Sequence, residues 1–284
     1  MELLSILTYI TWDIDPDIFV IPFVNHPVRW YGLFWVIGIV LSQRIMTYIY
    51  KKEGRPPQEI DTMTLYIVAG TMVGARLGHV LFYDPIGYLQ NPLRILYIWE
   101  GGLASHGGTV GILVAAYLLA RKTKVGYLWL LDRLVIVAAL AGCCIRVGNL
   151  MNSEMVGLPT DLPWGVIFTS VDSKPRHPAQ LYEAVYCLLL FALTFGFWAQ
   201  RRKRMREGFL LGCFLVTLFS LRFVDEFFKM NQVAFEDNMV LNMGQILSIP
   251  FVLIGLVLLV LNLRKVRGNA TSERGRLTEC KQGG

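Results

Sequence analysis

Apolar residues in this chain come in long blocks, not in the alternating pattern of strands or the one-sided stripe of soluble helices. Seven blocks stand out, at 30–50, 60–82, 104–120, 130–150, 178–199, 208–228 and 243–263. A helix needs about 20 mostly apolar residues to cross the hydrocarbon core of a bilayer. The pattern therefore predicts an all-α polytopic membrane protein of seven transmembrane helices with small extracytoplasmic elements. The fourth block is the weakest, because Arg133 and Arg146 lie inside it. No periodic soluble domain stands apart, so residues 1–263 read as one integral-membrane domain and 264–284 as a polar, disordered tail. The opening MELLSILTYITWDIDPD has no basic start and runs into Asp13, Asp15 and Asp17. It reads as an interfacial segment, not a signal peptide.

Basic residues orient the spans. The linkers after the first, third and fifth blocks carry Lys51, Lys52 and Arg55, then Arg121, Lys122 and Lys124, then Arg201, Arg202, Lys203, Arg204 and Arg206. The tail adds Arg264, Lys265, Arg267, Arg274, Arg276 and Lys281. The remaining linkers and the N-terminal segment hold only Arg29, Arg94, Lys174, Arg176 and Lys229. Every odd span thus ends in the cytoplasm, with the N-terminus outside and the C-terminus inside.

Composition agrees with a bilayer. The chain is 54% hydrophobic and 17% charged, with a mean hydropathy of +0.48, where a soluble domain is about 25% charged. The net charge of +6 is spread over short linkers and not gathered on one face, so it does not indicate nucleic acid. The five cysteines lack C-x-x-C spacing, which gives neither a disulfide framework nor a zinc site. No metal-binding motif is present.

Ionisable residues inside spans cost about 2.5–3.5 kcal/mol each on insertion scales. The orientation sorts them by depth. Tyr31, Arg76, His79, His106, Arg146, Asn149, His177, Gln180, Glu183, Arg222, Asp225, Glu226, Asn242 and Gln245 all fall near outer helix ends. Arg44 and Arg133 lie toward cytoplasmic ends, where snorkelling accounts for them, and Asp132 with Arg133 reads as interfacial. Proximity to water explains any single residue of the outer layer, and Arg222 with Glu226 has the i, i+4 spacing of a simple pair. It does not explain why arginines, histidines and amides gather at one depth. Gly70, Gly74 and Gly78 form a small-residue stripe suited to close helix packing. Glycines 101, 102, 107 and 108 surround His106 and suit either a tight turn or close backbone approach to a ligand.

Arginine binds phosphate oxygens bidentately and stays charged, and outer-leaflet phospholipid headgroups lie at this depth. A histidine beside them is a general-base candidate near neutral pH. The residues themselves imply a site for a lipid phosphate, with or without acid–base chemistry. An enzyme and a transporter or flippase for an anionic lipid or solute both remain open. The absence of an internal repeat and the odd span count argue against the transporter. A receptor or scaffold explains the spans but not the polar layer.

Seven segments, in order, resemble the prolipoprotein diacylglyceryl transferases. They are Arg29–Leu33, Gly74–Gly78, Gly101–Gly108, Arg146–Glu154 with Gly157, Arg176–Glu183, Arg222–Phe228 and Met243–Ser248. The resemblance implies transfer of an sn-1,2-diacylglyceryl group from phosphatidylglycerol to the lipobox cysteine thiol of a prolipoprotein signal peptide. It implies a bacterial cytoplasmic (inner) membrane enzyme with its active site toward the outer leaflet and no cofactor. Carried over residue by residue, it gives Arg146 and Arg222 the phosphate and leaving group, and His106 the thiol proton. Tyr31, Asn149, Glu154 and Gly157 would shape the lipid site. His177, Gln180, Glu183 and Glu226 would bind substrate or orient the others, with Glu226 holding Arg222. Two departures stand out. Lys229 occupies a position where arginine is expected, which leaves it outside the expected site. The outer stretch Leu158–Pro175 is also short, which bears on how a precursor docks.

Overall fold

A computed structural model of the chain describes residues 9–23, 26–97, 101–230 and 239–282. Eight helices are described: α1 (Trp30–Lys52), α2 (Glu59–Phe82), α3 (Pro85–Gln90), α4 (Ser105–Thr123), α5 (Tyr127–Met151), α6 (Ala179–Arg201), α7 (Phe209–Asp225) and α8 (Met243–Gln282). Each of the seven apolar blocks is helical. By length and composition, five helices suffice to cross a membrane: Trp30–Lys52, Glu59–Phe82, Tyr127–Met151, Ala179–Arg201 and the Met243–Leu263 part of α8. Large apolar side chains such as Leu65, Leu81, Leu193 and Val257 stand exposed on these helices, as a lipid-facing surface requires.

Short strands accompany the helices: β1 (Ile10–Trp12), β2 (Asp17–Ile21), β3 (His26–Arg29), β4 (Val166–Phe168) and β5 (Pro175–Arg176). The helical pattern did not foretell their pairing, because two- to five-residue strands carry too little periodicity to register. The first eight residues of the predicted interfacial segment lie outside the described residues. At the other end, α8 continues as a helix through Gln282, where the sequence predicts disorder. Extending a formed helix fixes one residue per added hydrogen bond, so a polar continuation is cheap once the span has nucleated it.

The chain divides into two compact units, Met1–Ser42 with Val135–Gly284, and Gln43–Leu134. The divisions fall inside α1 and α5.

In the 43–134 unit, α2 packs on α4 backbone to backbone. A Cβ on Gly70 would sit 2.7 Å from the Gly111 carbonyl oxygen, one on Gly74 2.7 Å from Gly111 Cα, and one on Gly78 2.8 Å from Gly107 Cα. The stripe is thus a helix-packing surface, and no larger residue fits it. Nearby, Glu53 accepts both Nε and Nη2 of Arg133, with Nη2–Oε1 at 2.9 Å, and the guanidinium lies 4.4 Å from the Trp129 ring centroid. This corrects the expectation of a snorkelling, interfacial Arg133: both it and Asp132 are buried. A carboxylate at the end of α1, 80 residues away, makes burial cheaper than reaching for water.

In the other unit, β1 pairs parallel with β4, and β4 pairs antiparallel with β5. Val156, Val166 and Phe168 form a small core with Trp12 and Leu150 against it. An antiparallel β2–β3 hairpin leads into α1, its entry fixed by a bond from Trp30 N–H to the Pro16 carbonyl. Small residues set the helix contacts. Gly38 on α1 meets Cys144 on α5, Gly142 on α5 meets Cys187 on α6, and Gly212 on α7 meets Gly255 on α8.

Candidate active site

The end of α5 carries Arg146 and Asn149 one turn apart, so both side chains share a face. Glu183 opens α6 and comes to the same place. Its Oε2 lies 2.8 Å from Arg146 Nε and accepts the Tyr186 hydroxyl at 3.1 Å. Arg146 Nη1 donates to the Asn149 side-chain Oδ1 at 3.3 Å, and Asn149 Nδ2 donates to Glu154 at 3.3 Å. Asn152 Nδ2 reaches the other Glu154 oxygen at 3.1 Å, and Gln180 Nε2 donates to the Glu154 backbone carbonyl at 2.5 Å. Among the described residues, the remaining guanidinium donors of Arg146 meet no acceptor. Its side chain is 17% exposed.

The backbone around Glu154 is strained. Ser153 and Met155 have φ of 53° and 60°, a region that costs an L-residue on the order of 1 kcal/mol each. The bonds from Asn149, Asn152 and Gln180 hold this turn, which presents the exposed Glu154 carboxylate beside Asn149.

A second half of the site comes from the end of α7. Arg222 Nε lies 3.6 Å from Glu226 Oε1, and the Arg222 side chain is 33% exposed. Glu226 also accepts Asn242 Nδ2 at 3.2 Å. Asn242 and Gln245 cap α8 reciprocally. The Asn242 side chain accepts the Gln245 N–H at 2.9 Å, and the Gln245 side chain accepts the Asn242 N–H at 3.1 Å, a capping-box arrangement. Gly244 lies between them, where a Cβ would meet the Glu226 carboxyl. The cap therefore fixes both the helix start and Glu226.

Lys229 joins the two halves. It is buried, in contact with Glu183 Oε1, 3.3 Å from Asp225 Oδ2 and 3.5 Å from Glu226 Oε1. A polar chain runs unbroken from Asn152 through Glu154, Asn149, Arg146, Glu183, Lys229 and Glu226 to Arg222 and Asn242. Expectation left Lys229 out and gave Asp225 no role. The spacing i, i+4 from Asp225 and i, i+3 from Glu226 was the available signal. Glu183, distant in sequence, was not readable that way.

The other expected residues fall as follows. Tyr31 packs across Gly148, where a Cβ would lie 3.1 Å from its ring. Gly157 is wedged between two backbones, with its N–H bonded to the His177 carbonyl at 2.9 Å and Leu158 N–H bonded to the Phe228 carbonyl at 2.8 Å. A Cβ there would lie 2.6 Å from the His177 carbonyl oxygen and 2.7 Å from that of Phe228. His177 Nδ1 is 3.1 Å from the Tyr182 hydroxyl, which also accepts Trp164 Nε1 at 2.9 Å. Burial pushes the His177 imidazole below its ordinary pKa. Next to it, Arg176 donates to the Gly157 carbonyl at 3.1 Å and pairs with Asp172 at 2.5 Å. That hydrogen bond holds the Asp172 carboxyl below the usual carboxylate range and raises Arg176.

His106 belongs to the 43–134 unit, exposed on the first turn of α4. The glycine run around it divides its labour. Gly107 packs against the α2 backbone. Gly101 and Gly102 turn through φ of 84° and 71° and offer their carbonyls to Arg76 Nη1 at 2.5 and 3.2 Å. Gly107 thus serves helix packing, and Gly101 and Gly102 form the turn that Arg76 holds.

The chain's sequence matches the family described as prolipoprotein diacylglyceryl transferase over residues 17–261. It is similar to the phosphatidylglycerol–prolipoprotein diacylglyceryl transferase of Tolumonas auensis, 46% identical over 255 residues, covering 89% of this chain and 98% of that protein. It is similar to the proteins of the same name from Chloroherpeton thalassium, 42% identical over 267 residues (93% and 98%), and Porphyromonas gingivalis, 42% over 273 residues (90% and 96%).

Proposed function

The chain belongs to the prolipoprotein diacylglyceryl transferase family, and from that premise we propose the reaction and the residues that carry it. The protein is a transferase of lipoprotein biosynthesis. It moves the sn-1,2-diacylglyceryl group of phosphatidylglycerol to the lipobox cysteine thiol of a prolipoprotein. The match over residues 17–261 is the observation that carries this reading.

The thiol sulfur attacks the glycerol carbon that bears the phosphate. A C–S bond forms, the C–O bond breaks, and glycerol phosphate leaves. A free thiol has a pKa near about 8.5, so its proton must be removed or its thiolate favoured by positive charge. Negative charge grows on the phosphate oxygen as the C–O bond breaks, and fixed guanidinium groups stabilise it. Arg146 suits that role, since Glu183 fixes its Nε side and leaves the other donors for a ligand. Arg222, anchored on one side by Glu226 and one-third exposed, suits the same phosphate. His106 is assigned the thiol proton. Tyr31, Asn149, Glu154 and Gly157 shape the lipid site, while His177, Gln180 and Glu183 orient the rest.

The chain crosses the membrane seven times, with the N-terminus outside and the C-terminus in the cytoplasm, since Lys and Arg gather after the odd spans. The membrane is the bacterial cytoplasmic (inner) membrane, and the polar layer faces its outer leaflet, where phosphatidylglycerol headgroups meet an exported precursor.

Reconstitution with phosphatidylglycerol and a lipobox peptide tests the reaction, with a diacylglyceryl mass gained on the peptide as the expected result. A folded wild-type protein that transfers nothing would overturn it. Transfer unchanged in Arg146→Ala would overturn the site.

A further inference from the structure

Lys229 is a single ammonium facing three carboxylates on two elements. Glu183 comes from α6, and Asp225 and Glu226 from the end of α7. Its side chain is 2% exposed. Its backbone is pinned too, through a bridge between Gly157 and Lys229 and the bond from Leu158 to the Phe228 carbonyl. Lys229 therefore cannot relax toward water. An exposed lysine at the outer end of an apolar helix would simply be solvated.

The carboxylates it holds also hold the two arginines. Glu183 gives Oε1 to Lys229 and Oε2 to Arg146. Glu226 gives Oε1 to both Lys229 and Arg222, at 3.5 and 3.6 Å, and Oε2 to Asn242. In a medium of low dielectric, a buried carboxylate needs a cation close by. Without Lys229, the whole charge of Glu183 would fall on Arg146 and that of Glu226 on Arg222. Each guanidinium would then be neutralised by its own tether and attract an anion poorly.

Resting on the transferase reading above, we propose that Lys229 is a positioning residue. It takes up the carboxylate charge of the scaffold so that Arg146 and Arg222 keep their positive charge for the headgroup phosphate. It touches neither substrate, and it acts on both arginines at once through the carboxylates they share with it. Because the phosphate is already charged in the ground state, its loss shows chiefly in substrate binding.

The test uses the full-length chain in phosphatidylglycerol-containing vesicles with a lipobox peptide, varying lipid and reading KM and kcat separately. Lys229→Met should raise the KM for phosphatidylglycerol at least about tenfold and lower kcat by less. Lys229→Arg keeps the charge and should stay within about threefold of wild type. The double variant Lys229→Met with Glu226→Gln removes one charge of each sign, relieves Arg222 of a carboxylate it would otherwise hold alone, and should recover part of the lost KM. A structural role alone predicts no such recovery. Wild-type KM in Lys229→Met, or a KM loss that the double variant leaves unchanged, overturns the proposal. If Lys229→Met does not fold, the charge-balanced double variant and Lys229→Arg decide it on the same criteria. Wild-type protein that fails to transfer removes the reaction itself, an outcome distinct from transfer that ignores Lys229.

Discussion

Arg76 in one unit and Arg146 in the other both sit near the C-terminal end of an apolar helix, yet their guanidinium groups are used oppositely. Arg76 is 4% exposed and saturated. Its Nε donates to the Ile95 carbonyl at 2.9 Å, its Nη1 to Gly101 and Gly102, and its Nη2 to Arg94 and Tyr97. The Tyr88 ring lies 5.1 Å beneath it. Every donor is used on the main-chain carbonyls of Arg94, Ile95, Tyr97, Gly101 and Gly102. Among the described residues, Arg146 meets one carboxylate and one amide oxygen, and its other donors meet no acceptor. The two arginines thus differ in how many of their five donors the described residues consume, and the proposed phosphate role of Arg146 rests on that difference.

The contrast can be broken experimentally. Arg146→Ala should cost about 10³-fold in kcat/KM, the upper range for losing one donor group to developing charge, with little change in melting temperature. A variant that melts far lower yet transfers normally per folded molecule would give Arg146 a structural role instead. His106→Asn should lower kcat about 10²-fold, in the range of general-base catalysis. Wild-type turnover would remove the proton role while leaving the reaction intact. Arg76→Met should behave in the reverse sense to Arg146→Ala. Removing the donor from five partly buried carbonyls costs about 2 kcal/mol of stability, read as a lower thermal midpoint, while KM for phosphatidylglycerol holds in the folded fraction. A large KM rise with unchanged melting would instead place Arg76 among the ligand-binding residues.

The smallest effect concerns acid. Burial lowers the pKa of His177 in the fold, so the unfolded chain binds its proton more readily. Stability should decline as pH falls from about 6.5 toward the folded value. Asp172 is held low by Arg176. Its contribution is present above the unfolded carboxylate value of about 3.9 and is lost as pH falls through the lower folded one. Melting curves from neutral pH downward should show two declines. Asp172→Asn should erase only the more acidic of them, and a single unchanged decline would count against the Asp172–Arg176 clasp.

Much of the fold was legible because long apolar blocks have few alternatives. The expected block 60–82 is the helix Glu59–Phe82, and 178–199 is Ala179–Arg201. Which polar residues stand inside the helical blocks was legible, since burying each one is costly. Pairing among them was not. Arg222 with Glu226 was readable from spacing, but Arg146 with Glu183 and Lys229 with Glu183 join different helices. Arg133 looked like a snorkelling residue because its partner Glu53 stands 80 positions earlier.

Of the seven blocks read as spans, five are helices long and apolar enough to cross a membrane. The sequence by itself determined that the chain is helical and membrane-bound, and which residue types are costly to bury. Those properties are local, carried by block length, composition and the price of desolvating charge. Only the tertiary structure decided which cost each buried charge meets. It assigned Arg76 to a shell of carbonyls, Arg133 to Glu53, and Arg146 to a carboxylate shared with Lys229. Charge balance in a low-dielectric interior depends on distances of a few ångströms between elements, and no stretch of sequence encodes such distances alone.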